Sequence, residues 1–181
     1  MEARDGAILK SAEGWEIRFE RKLDHAPQKV WDAIVGPGAM SRWFDRTEFP
    51  TPLAVGADIR FFHDAFGLES RGHITRLEPP HLIEWLWAAD FSPDQLMSWA
   101  IEPEGDGSRL ILRQKMGDES VIARTTAGWH VCLDRMQAVL DDTGSPAPQA
   151  SGWPSLFERY KDVLKGLGMT VEQQGAPPVK G

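Results

Sequence analysis

The stretch Ile122-Ala-Arg-Thr-Thr126-Ala-Gly-Trp129-His-Val-Cys-Leu133-Asp-Arg-Met136-Gln-Ala-Val-Leu140 decides the fold. Ile122, Thr126, Trp129, Leu133, Met136 and Leu140 recur at steps of 4, 3, 4, 3 and 4, which lays them along one face of an α-helix. Thr125, Cys132 and Val139 widen that stripe. The spacing predicts a long helix over about 120–141. A weaker stripe, Ala127, Val131 and Ala138, runs along its back. A solvent-facing back has no use for Val131, so something is expected to pack there.

Working back from the helix, the chain reads as strands. Trp15, Ile17, Phe19, Arg21 and Leu23 alternate with Glu16, Arg18, Glu20 and Lys22, the period of a half-buried antiparallel strand. Pro27 suits the first turn of a helix, where its missing N–H would have no partner. Val30, Trp31 and Ile34 make one face of that helix, and Gly36-Pro37-Gly38 ends it. Met40, Trp43 and Phe44 predict a second short helix, followed by a loop at Pro50 and Pro52. Ile59, Phe61 and His63 then alternate with Asp58, Arg60 and Phe62. Residues 68–77 run to the turn Glu78-Pro79-Pro80, and 82–87 carry Ile83, Trp85 and Trp87 on one face. Met97, Trp99 and Ile101 do the same in 96–102. Glu104-Gly-Asp-Gly-Ser108 is a turn leading to a strand over 109–115. Strands joined by short turns predict an antiparallel meander, and with the helix an α+β class.

The expected organisation is one domain over 15–142, preceded by a tail or edge strand at 1–14. A Gly/Ser/Pro-rich linker, 143–152, leads to Trp153, Leu156, Phe157, Tyr160, Val163, Leu164 and Leu167. These predict an amphipathic helix over 153–171, docked on the back of the long helix or on a partner subunit. Residues 172–181 read as a disordered tail.

With 181 residues, the chain is long enough for a core that needs no disulfide or metal staple. Its formal net charge of -7 argues against general nucleic-acid binding, which requires a basic footprint. One cysteine excludes an internal disulfide framework and fits a reducing compartment. The N-terminal Met1-Glu-Ala-Arg-Asp5 lacks the apolar segment of a signal peptide, and no apolar run reaches membrane-spanning length. The location expected is the cytoplasm, with no membrane partner. Eight tryptophans against one tyrosine suit a wide core or a lined cavity.

Several strings resemble a known family. They are Arg21 followed by Pro27-Gln-Lys-Val-Trp31-Asp-Ala-Ile34, then Ser41-Arg-Trp43-Phe44, then Gly72-His-Ile-Thr-Arg-Leu-Glu-Pro79-Pro80. Ile101-Glu-Pro-Glu-Gly-Asp-Gly-Ser-Arg-Leu110 and Ala127-Gly-Trp129-His-Val-Cys-Leu133 complete the set. In order and spacing, from about residue 15 to 141, they look like the bacterial Hsp90-ATPase-activator-homologue-like branch of the START/Bet v 1-like (SRPBCC) superfamily. The tail with Trp153 and Tyr160 is similar to a C-terminal extension in one bacterial subgroup. The resemblance implies a helix-grip fold: a curved antiparallel sheet around a long C-terminal helix, two short helices after the first strand, and here an extra terminal helix. Such folds host lipid binders, polyketide cyclases, hydrolases and co-chaperone domains, so fold alone does not assign activity. The eukaryotic activator uses this domain beside a separate N-terminal Hsp90-binding domain. Here about 14 residues precede the domain, so the resemblance implies little about Hsp90, while the family association carries an expected role in stress response.

The chemistry expected centres on the space between sheet and helix. A strongly curved sheet around one helix is hard to fill at the usual packing density, and large apolar concave sites are where small ligands bind. Trp43, Phe61, Trp85, Trp87, Trp99, Trp129 and Leu133 are the candidate apolar lining, with plain core packing as the alternative for each. Arg21, His63, Ser70, Gln114 and Thr126 are the polar residues on inward rows. Of these, His63 and Gln114 are the best candidates to orient a ligand, and Thr126 is carried as a further contact. Arg21 reads rather as an ion pair at a strand end, and the Thr126 hydroxyl can bond back to the carbonyl four residues earlier. His130 lies about 100° round the helix from Trp129, with Asp134 one turn on. The five histidines lack the spacing of a metal site, Gly36-Pro-Gly38 lacks the rest of a phosphate loop, and no serine sits in a nucleophile-elbow context. No cofactor is expected. The leading reading is a non-enzymatic binder of a small apolar molecule. The alternatives are a cyclase, dehydratase or hydrolase using His63 or His130, and a protein-interaction module that is chaperone-associated or a homodimer.

Overall fold

A computed structural model describes residues 4–12, 14–64, 67–89, 92–144 and 152–170. Its strands are β1 (Ala7–Ser11), β2 (Gly14–Leu23), β3 (Arg46–Glu48), β4 (Asp58–His63), β5 (Leu68–Glu78), β6 (Leu82–Ala89), β7 (Ser92–Glu104) and β8 (Gly107–Met116). Its helices are α1 (Pro27–Val35), α2 (Ile122–Leu140) and α3 (Trp153–Gly166), with 3-10 turns at Met40–Arg42 and Glu119–Val121. The strands form one sheet in the order β1-β2-β8-β7-β6-β5-β4-β3, antiparallel at every ladder. Bulges between Ile74 and Arg76 and between Trp87 and Ala89 help to bend it. The curved sheet holds α2 against its inner face, so the helix-grip architecture is the fold of this chain.

Alternation in sequence becomes alternation in burial. Along β2, Trp15, Ile17, Phe19, Arg21 and Leu23 are buried while Glu16, Arg18, Glu20 and Lys22 are not. The second short helix is a single 3-10 turn, Met40–Arg42, which ends at Trp43, where φ is -135° and the backbone leaves the helical region. Strand β3 was not legible. Three residues are too few to show a period, and Arg46–Glu48 is extended because it pairs with β4. Asp118 accepts the backbone N–H of Ser120 at 2.8 Å and starts the turn that enters α2. No helix is long and apolar enough to cross a membrane, among the described residues.

The back of α2 is covered by α3. Ala127 and Val131, from the second stripe, are buried, as are Tyr160 and Leu164 of α3. A polar layer crosses this interface. The Tyr160 hydroxyl accepts the N–H of Gly6 at 2.8 Å and lies 2.8 Å from His130 Nδ1. His130 Nε2 is 3.6 Å from Asp134, which also faces Arg21 at 3.6 Å. Burial lowers the Arg21 pKa and Asp134 opposes that shift, as expected of a guanidinium held inside by one carboxylate. Tyr160→Phe keeps the ring and removes the acceptor for the buried Gly6 amide. We expect it to cost about 1–3 kcal/mol in urea unfolding. An unchanged unfolding midpoint would mean the hydroxyl does not hold the N-terminal segment in place.

The expected linker, 143–152, lies mostly outside the described residues, and the expected tail, 172–181, lies wholly outside them.

Candidate functional site

The inner rows of the sheet converge on Trp129. On β7, Gln95, Met97 and Trp99 are buried on one face, and their partners across the ladder are Trp87, Trp85 and Ile83. Beyond β6, Ser70, Gly72 and Ile74 of β5 continue the inner surface, followed by Ile59, Phe61 and His63 of β4. Gly72 is required by this layer. A Cβ there would lie 2.7 Å from Trp85 Cδ1 and 3.1 Å from a Phe61 ring carbon.

The result is a continuous aromatic cluster. Trp129 packs edge-on to Trp99 at 5.5 Å and to Trp87 at 6.2 Å, and stacks on Phe44 at 5.1 Å with planes 10° apart. Phe61 stacks on Trp87 at 4.6 Å, Trp85 on Trp99 at 6.2 Å, and Trp43 meets Trp99 edge-on at 5.9 Å. Trp43, Phe61, Trp85 and Trp99 are fully buried, whereas Phe44, His63 and Trp87 are half-buried and form the more open end.

The indole N–H groups divide into two kinds. Trp43 donates to the Ala33 carbonyl at 2.9 Å, Trp87 to Ser70 Oγ at 2.8 Å, and Trp129 to Gln114 Oε1 at 2.6 Å. Gln114 in turn donates to Gln95 Oε1. The Nε1 atoms of Trp85 and Trp99 are buried and have no hydrogen-bond partner among the described residues. Buried donors are nearly always satisfied, so two orphans on a pair of stacked rings are unusual.

A second polar chain runs along the open end. Asp45 Oδ2 lies 2.6 Å from His63 Nδ1, and His63 Nε2 lies 2.9 Å from Ser70 Oγ. One proton arrangement satisfies every member: Trp87 donates to Ser70, Ser70 donates to Nε2, and Nδ1–H donates to Asp45. The His63 ring also stacks over Trp87 at 6.2 Å.

Of the residues singled out in the sequence, Trp43, Phe61, His63, Trp85, Trp87, Trp99, Gln114 and Trp129 come together here. Leu133 is buried one turn further along α2. Thr126 is buried too, but its hydroxyl donates to the Ile122 carbonyl at 2.7 Å. His130 turns to the α3 side instead. Phe44, Asp45, Ser70 and Gln95 belong to the constellation but were not chosen as candidates. Ser70 was legible as an inward polar residue, and Gln95 would have followed from extending the Met97–Trp99 alternation by one step. Asp45 carried no signal, since it lies in an aperiodic segment. Cys132 is half-buried on α2, and burial pushes its thiol up to about 12, so it stays protonated near neutral pH.

Solved structures share this architecture. CalU16 from Micromonospora echinospora superposes with a TM-score of 0.73 at 22% identity, over 93% of this chain and 100% of its own. A conserved protein of unknown function from Enterococcus faecalis, EF2215, gives 0.76 at 18% identity, over 91% of this chain and 93% of its own. The Aha1 dimer from Colwellia psychrerythraea gives 0.60 at 18% identity, over 69% of this chain and 95% of its own. At these identities the likeness speaks for the fold alone. No curated protein matches the chain. The sequence pattern of one family does match it across residues 24–141, from the entry to α1 through the end of α2, and the chain therefore belongs to the Activator of Hsp90 ATPase homolog 1-like protein family.

Proposed function

We propose that the protein binds a small, flat, largely apolar molecule bearing a carbonyl-type oxygen, seated among the aromatic rings between the sheet and α2. The observation that carries this reading is the pair of buried, partnerless indole N–H groups on Trp85 and Trp99. Leaving such a donor unsatisfied costs about 1–3 kcal/mol, so an acceptor oxygen brought in by a ligand would gain from both. The rings supply stacking surface, and Gln114, fixed by Trp129 and Gln95, supplies a held polar group. Phe44 is the ring suited to give way. It follows a three-residue 3-10 turn, is half-buried, and occupies a stacking position on Trp129 that a planar ligand could take.

Flavone, a flat aryl ketone, is a direct probe. It should quench the tryptophan fluorescence saturably, and Trp129→Ala should weaken binding ~10-fold by removing one stacked face. If neither flavone nor its ketone-free analogue binds saturably, the proposal fails. The Aha1 dimer among the structural neighbours favours one further expectation, a homodimer, which sedimentation of the full chain would test directly.

A further inference from the structure

We propose that Ser70 is an acylatable nucleophile, activated by His63 and Asp45, and that its substrates are small apolar carboxylic esters. The substrate class rests on the apolar-binding reading above; the reactivity of Ser70 does not.

The argument is geometric. Ser70 is 5% exposed on the inner face of β5, a row otherwise suited to apolar side chains. Its Oγ lies 2.9 Å from His63 Nε2, and the other ring nitrogen lies 2.6 Å from a carboxylate oxygen of Asp45. Nucleophile, base and orienting carboxylate thus follow one another through opposite nitrogens of one imidazole, the arrangement that lets a hydroxyl lose its proton as it attacks. The three come from β5, the end of β4 and the segment after the first 3-10 turn. His63 and Ser70 face each other diagonally across the β4–β5 ladder, while Asp45 reaches His63 from 18 positions away. Trp87 donates a further hydrogen bond to Ser70 Oγ at 2.8 Å, which eases loss of the hydroxyl proton to His63. The side chain of Asp45 is 43% exposed and that of His63 14%, so the chain leads from the aromatic interior to water.

The reaction balances without any other reactant than water. Ser70 Oγ bonds to the ester carbonyl carbon, its proton passes to His63 Nε2, and the carbonyl π electrons move onto oxygen. Collapse breaks the bond to the alkoxy group, which leaves as the alcohol with the proton from Nε2. Water then attacks the acyl-Ser70 ester by the same route, releasing the carboxylic acid and restoring the hydroxyl. Asp45 touches no substrate. It is a positioning residue that keeps the Nδ1 proton in place and offsets the charge of the imidazolium.

The full chain is treated with an alkyl fluorophosphonate and digested for mass spectrometry, and p-nitrophenyl butyrate hydrolysis is followed in parallel. The expected result is one phosphonyl adduct, on Ser70. Ester turnover should fall about 100-fold or more in both Ser70→Ala and His63→Ala. Asp45→Asn should lower kcat with KM unchanged, whereas a merely structural lesion would move both or unfold the chain. An unlabelled Ser70 in the unmodified protein, or a folded Ser70→Ala that turns over as before, overturns the proposal. If flavone still binds in that case, the apolar site stands and the three residues are only a hydrogen-bonded network. A labelled Ser70 with no flavone binding supports the nucleophile and removes the apolar-ligand reading instead.

Discussion

Trp99→Ala is expected to destabilise the protein by about 3–5 kcal/mol, the usual cost of truncating a buried large aromatic to alanine. Trp99 is fully buried and meets Trp43, Trp85 and Trp129 at 5.9, 6.2 and 5.5 Å. Each such ring pair contributes about 0.5–1.5 kcal/mol beyond burial, and no neighbour can collapse into the void without breaking another pair. One term runs the other way. The indole N–H of Trp99 has no partner among the described residues, so losing it recovers part of a desolvation cost of about 1–3 kcal/mol. That separates two variants. Trp99→Phe removes the orphan donor, keeps a ring in the cluster, and should therefore cost much less than Trp99→Ala. Urea unfolding of the two, monitored by circular dichroism, reads the difference. Because both variants lack the N–H, equal losses would mean that the ring contacts phenylalanine retains contribute nothing, whereas a Trp99→Phe variant as stable as the parent would mean that losing the orphan donor offsets the smaller ring.

Truncating the chain after Gly144, which removes α3, should lower stability by roughly 2–4 kcal/mol. Burial of Tyr160 and Leu164 is worth ~1.5–3 kcal/mol each, partly offset by the chain entropy recovered when the helix is gone. A helix of this length is marginal alone, so its order comes from docking rather than propensity. The truncation also exposes Val131 and Ala127 and leaves the Gly6 amide without the Tyr160 hydroxyl. A lower melting temperature with a change in sedimentation would indicate that the uncovered α2 face then seeks a second copy. No change in either would show that α3 is an ornament to the domain, not part of its core.

The site was partly legible in the same way as the fold. Trp85, Trp87 and Trp99 could be placed on inward rows because side chains alternate strictly along a strand, and Trp129 could be set opposite them because helical faces repeat every 3.6 residues. Which inward groups touch was another matter. His63 was singled out for its position on β4, but its two partners were not, since a contact between Asp45 and His63 depends on where a short aperiodic segment is laid down by its neighbours. His130 could be placed beside the buried stripe, one turn before Asp134, but its bond to Tyr160 follows only from the docking of α3.

Local covalent geometry is what a chain writes openly. The stripe from Ile122 to Leu140, the alternation in β2, β4, β6, β7 and β8 and the turn at Gly105–Gly107 were enough for the α+β class and the faces that would be buried. The curvature of the sheet, the orphan donors of Trp85 and Trp99, the Asp45–His63–Ser70 chain and the Gly6–Tyr160 bond across 154 positions were decided by tertiary structure. They depend on register, bulges and rotamers set jointly by residues far apart in sequence, and no periodicity along one segment encodes those.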